Sequence, residues 1–139
     1  MLAVLLSACA SQAPTVRAAG SSDTREVALA CAFAGNCVNS LTSGLAPLRY
    51  AGTPTQALAT LQATLSTFPE AQVVRSEPLA LEVIFTTPAG FKDQVDFMID
   101  TEAQRIDFRS RSLFGLFDWG KNRSRMQEFA SRFDQQSRR

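Results

Sequence analysis

The sequence predicts an α+β fold: an antiparallel sheet of four to five strands with two helices on one face, in the order β-α-β4-α. Three observations carry this. Residues 53–68 place apolar side chains at three- and four-residue steps behind a helix start signal. Residues 72–109 alternate apolar and polar side chains in short runs divided by turn residues. Residues 118–135 return to helical spacing.

Residues 31–52 are irregular, punctuated by Gly35, Gly44, Pro47 and Gly52, with Leu48 to Tyr50 as a short first strand. Thr53-Pro54-Thr55-Gln56 has capping-box spacing, with Pro at the first helical position. Leu58, Leu61, Leu65 and Phe68 then share a face, and Pro69 ends the helix. Gln72 to Ser76 is the next strand, and Glu77-Pro78 turns the chain. Leu79 to Thr86 sets Leu79, Leu81, Val83 and Phe85 on one side. After the Pro88-Ala89-Gly90 turn, Val95, Phe97 and Ile99 alternate with Asp96, Met98 and Asp100. Gln104 to Arg109 points Ile106 and Phe108 inward and Arg105, Asp107 and Arg109 away. An apolar face and a charged face suit a sheet covered by helices on one side. The last helix begins between Asp118 and Lys121, with Asp118 as its cap and Met126, Phe129, Ala130 and Phe133 as its apolar stripe. This order resembles helix-grip folds, in which a curved sheet wraps a long C-terminal helix. The resemblance is topological and implies no function.

A chain of 139 residues, 45% hydrophobic and 19% charged, can close one core. Its net charge of +1 argues against nucleic acid as a partner. Residues 1–104 carry five Lys/Arg against nine Asp/Glu, and residues 105–139 carry nine against four. The basic end suits anionic headgroups, an acidic partner, or simply solvent. There is no histidine, which rules out Ser-His-Asp and Cys-His catalysis and removes the commonest metal ligand. No metal and no cofactor is expected.

The chain opens MLAVLLSACASQAPT. An apolar run followed by Leu6-Ser7-Ala8-Cys9 resembles the lipobox of bacterial lipoproteins. The resemblance implies that residues 1–8 are a signal segment and that Cys9 becomes a lipidated first residue. Without Lys or Arg before a short run, the signal reads as truncated. Ala10 after the cysteine implies the outer membrane, with the domain facing the periplasm. Residues 9–30, polar and small, read as a flexible tether, and residues 31–139 as one domain. No other run approaches the ~20 apolar residues of a membrane-spanning helix. An oxidising compartment suits a disulfide between Cys31 and Cys37 in CAFAGNC. Free structural thiols or a reactive thiol are the alternatives, and zinc lacks further ligands.

Between the last strand and the last helix lies RSRSLFGLFDWGKNRSR, residues 109–125. Arg109, Ser110, Ser112, Gly115, Asp118, Gly120, Asn122, Arg123 and Arg125 resemble the signature of the family called domain of unknown function 1499. Gly35-Asn36-Cys37-Val38 with Ser40, Tyr50-Ala51-Gly52 and Asp93-Gln94-Val95-Asp96 fit it too, while Leu113 departs from it where a basic residue is usual. The resemblance implies no activity.

Physically, Arg109 and Arg123 are forked donors for carboxylates, with Asp93, Asp96 and Asp118 as acceptors. Such a network would dock the last helix on the sheet. Leu113, Phe114, Leu116, Phe117 and Trp119 either plug the core or form an exposed patch beside positive charge. The leading expectation is a lipid-anchored, non-enzymatic envelope domain that serves as a scaffold, or that binds an envelope protein or an amphipathic ligand. The alternative is an enzyme with Cys37 as nucleophile, or with Asp93, Asp96 and Asp118 as acid/base groups while Arg109 and Arg123 hold an anion.

Overall fold

The computed structural model describes residues 22–139. The lipobox, Cys9 and most of the expected tether lie outside them. The described chain is α+β, with nine elements: α1 (Ser22–Ala28), β1 (Cys37–Asn39), β2 (Leu48–Arg49), α2 (Pro54–Leu65), β3 (Ala71–Glu77), β4 (Ala80–Thr86), β5 (Lys92–Asp100), β6 (Arg105–Ser112) and α3 (Lys121–Ser137).

One antiparallel sheet runs in the order β1-β6-β5-β4-β3, and β2 also pairs with β6. β1 and β2 follow each other along the same edge of β6, opposite Ser110 and Ile106 respectively. The sheet therefore has six strands rather than four or five. β1 escapes sequence reading because three residues are too few to show alternation.

Register fixes the faces. Asp93, Val95, Phe97 and Ile99 of β5 stand opposite Ser112, Ser110, Phe108 and Ile106 of β6. This face is covered by α2 and α3. Leu61 and Leu65 of α2 and Met126, Phe129 and Phe133 of α3 are buried against it. Phe129 lies 4.9 Å from Phe97 and 5.7 Å from Phe68, ring centroid to centroid. Each such side chain contributes roughly 1.5–3 kcal/mol by burial.

The helix starts differ. Thr53 accepts from the Gln56 amide, and the Gln56 side chain accepts from the Thr53 amide, so α2 has the capping box its sequence announces. The N-cap of α3 is Gly120, at φ of +79°, which has no side chain to cap the helix. Asp118 takes over from two residues upstream, accepting from the amides of Gly120 and Asn122.

The tether boundary needs correction. Residues 22–30 belong to the folded body: α1 is helical and Leu29 is fully buried. The charge in this segment reads as linker because its partners are far away in sequence. Arg25 lies 2.9 Å from Asp100 and 3.4 Å from Asp107, on the sheet face opposite α2 and α3. The face expected to meet solvent is partly roofed by α1, and Asp107 is buried.

Candidate functional site

Three clusters hold the chemically distinctive side chains: a buried polar hub under α3, an ion-pair layer under α1, and an apolar loop joining β6 to α3.

The hub centres on Asn122, which is fully buried. Its Oδ1 accepts from the Ser110 hydroxyl at 2.6 Å and from Arg125 at 3.1 Å. Its Nδ2 lies within bonding distance of Asp118 Oδ2 (2.6 Å), Ser112 Oγ (3.0 Å) and the Asn36 carbonyl (3.2 Å). One amide thus ties both ends of the loop to the Cys37 segment. Arg125 completes the hub through Asp93 at 2.6 Å. An amide can do this because it donates and accepts at once.

The expected pairing of arginines is half right. Arg109 does meet Asp96, at 2.7 Å through Nη2 and 3.2 Å through Nε. Its Nη1 also donates to the Ala30 carbonyl beyond α1. Among the described residues Arg123 forms no ion pair with an aspartate; it donates to the Ser43 carbonyl at 2.6 Å. The partner of Asp93 is Arg125. Helical spacing explains the exchange. Arg125 is three residues from Asn122 and four from Phe129, on the buried stripe, whereas Arg123 is turned off it. That spacing was the available signal for Arg125. No comparable signal marked Arg25 and Asp107.

Under α1, burial opposes the charge of Asp100. The backbone amides of Ala103 and Glu102, with Arg25 and Arg105, outweigh burial and hold its carboxyl below the ordinary value. The Tyr50 phenol is pushed up, first by burial and then by the Asp100 charge. It stays neutral and donates to the Asp100 carbonyl. Cys31, just past α1, is disulfide-bonded to Cys37 of β1, with 5.6 Å between their Cα atoms. Cys37 is therefore no free nucleophile in this state.

The loop, residues 113–119, does not plug the core. Trp119 is 94% exposed, Phe114 75%, Leu116 67% and Phe117 64%. Phe114 stacks on Phe91 at 5.9 Å, and Phe117 packs edge-on against Phe33 at 5.8 Å. The backbone is nevertheless tied down. Asn36 Nδ2 donates to the Gly115 carbonyl, and the Asp118 amide donates to the Gly35 carbonyl. A Cβ at Gly35 would come within 2.6 Å of the Leu116 carbonyl, so that contact needs glycine. Trp119 itself has φ of +55°, a left-handed backbone rarely adopted by a bulky residue. A cleft of about 350 Å³ opens beneath, lined by Phe91, Phe114, Phe117 and Trp119 with Asp93, Asp118 and Lys121 among its polar residues.

Among the described residues, no group of three or more His, Cys, Asp or Glu side chains is placed to hold a metal. Among the same residues, no helix is long and apolar enough to cross a membrane. The model of a family described as protein of unknown function (DUF1499) matches residues 6–133. Comparison with curated proteins finds no match.

Proposed function

The chain belongs to the DUF1499 family, and from that premise we propose a non-enzymatic binding domain of a bacterial envelope, anchored by lipid on Cys9. Its working surface is the 113–119 loop with the cleft below it. The observation that carries this reading is the contrast within the loop. Its backbone is fastened by the Asn36 side chain and the Gly35 carbonyl, and its Asp118 side chain by the fully buried Asn122, while its four largest side chains face solvent. Contiguous exposed apolar surface on a fixed frame marks a contact site. The lipid anchor is supported by the Leu6-Ser7-Ala8-Cys9 motif. A disulfide-bonded domain also suits an exported protein.

The carboxylates of the enzyme alternative are already engaged. Asp93 holds Arg125, Asp96 holds Arg109, and Asp118 holds the start of α3. Among the described residues Arg123, the other expected anion holder, pairs with none of the three and donates to the Ser43 carbonyl instead.

Two measurements test the reading. Mass spectrometry of the mature protein from envelope membranes should find an acylated Cys9 as first residue. The double variant Phe114→Ser/Leu116→Ser should keep the native melting transition and lose contact with envelope material. An unmodified Cys9 removes the anchor. Unchanged contact in the double variant removes the loop as the working surface.

A further inference from the structure

We propose that the 113–119 loop docks on the anionic headgroup interface of the bilayer, a second membrane contact beside the acyl anchor. The inference rests on the reading of a lipid-anchored binding domain and names what its surface binds.

The side chains offered are of an interfacial kind. Trp119, Phe114, Leu116 and Phe117 project from one short loop, and Phe91 and Phe33 extend the apolar surface on either side. Aromatic rings flanked by lysine are the usual anchors at the boundary between headgroup and acyl chain. Protein interfaces also favour tryptophan and phenylalanine, with tyrosine and arginine, but they are depleted in lysine. Here the rim carries Lys92 and Lys121, both exposed, and the loop has no tyrosine. The Leu113 amide bonds the Lys92 carbonyl, and Lys121 lines the cleft with Phe114 and Trp119. Arg123 flanks Trp119 on the other side, with a carbonyl rather than a carboxylate as partner. Among the described residues, Lys92, Lys121 and Arg123 enter no ion pair. Asp93 is neutralised by Arg125, and Asp118 is occupied by its own helix start. The field at this end is therefore positive, complementary to anionic lipid.

Reach permits both contacts at once. The backbone from Cys9 to Ser22 spans at most about 45 Å. From there α1 leads toward Phe33, which touches Phe117. A weak second contact gains strongly from an anchor on the same surface.

Trp119 is the only tryptophan, so its emission reports on this loop alone. The test uses the full chain carrying Cys9→Ser, which has no acyl chain, and vesicles of phosphatidylcholine with or without phosphatidylglycerol. The proposal expects a blue shift of Trp119 emission on vesicles that contain phosphatidylglycerol, weakened by added salt. Lys92→Gln and Lys121→Gln should each lower partition about fivefold. Phe114→Ser/Leu116→Ser should lower it by more than tenfold with circular dichroism unchanged. No shift on any vesicle overturns the proposal, including the case where an envelope protein covers the loop instead. So does vesicle binding that leaves Trp119 emission unmoved, since that contact would lie elsewhere. The outcome is independent of acylation. An inert loop on a protein acylated at Cys9 sinks this inference alone, and an unacylated Cys9 with an active loop sinks only the anchor.

Discussion

Arg125 and Asp93 form an ion pair at 2.6 Å with side chains only 9% and 3% exposed, joining α3 to the start of β5. The Arg125 guanidinium also lies 4.9 Å from the centre of the Phe85 ring. Removing one partner strands a buried charge, and removing both does not. Arg125→Met is expected to destabilise the domain by about 3 kcal/mol in urea unfolding. Adding Asp93→Asn should restore at least a third of that loss. Additive losses in the double variant would mean that the two groups do not act as a pair.

Trp119 presents a cost without a structural return. Its left-handed backbone, φ of +55°, stores strain in a side chain that touches little. Trp119→Gly is expected to raise stability by about 1 kcal/mol, followed by circular dichroism, while binding by the loop falls. Loss of stability in this variant would make the indole a structural element.

The disulfide Cys31–Cys37 fastens the exit of α1 to β1. Arg25 is 6% exposed and hidden from protease while α1 is docked. The variant Cys31→Ala/Cys37→Ala should lose about 2 kcal/mol. It should also become open to trypsin cleavage after Arg25, a cut that the oxidised protein resists. Equal resistance in both forms would show that the ion pairs alone hold α1.

Asp100 has a carboxyl held below its ordinary value of 3.8. Such a group stabilises the fold above that value, and the contribution fades as pH falls through the lower folded value. Stability should therefore drop below about pH 4, and Asp100→Asn should flatten that drop. A variant with an unchanged acid limb would assign the loss to other carboxylates.

Much of the sheet was legible because its signals are local. Leu81, Val83 and Phe85 alternate across one strand, and Val95, Phe97 and Ile99 across the next, and these are buried, whereas Leu79, expected beside the first set, lies ahead of β4 and is 40% exposed. The capping box at Thr53 and Gln56 needs only four residues. What stayed hidden depends on distant partners. Arg25 finds Asp100 and Asp107 some eighty residues away, so its segment reads as linker. Arg123 and Arg125 look alike in sequence, and only the helix phase gives Asp93 to Arg125. The loop posed a choice between plug and patch. The stripe of α3 with Phe68 already fills the core, which leaves Trp119 outside.

The central claim is that the 113–119 loop is a surface meant to be covered, and that lipid covers it. Quenching of Trp119 emission by lipids brominated at defined depths tests this most directly, on the acylated protein in anionic vesicles. The account predicts strong quenching by bromines near the headgroup end of the acyl chain and weaker quenching by deeper ones. Emission equal to that in water, untouched by bromine at any depth, would contradict it.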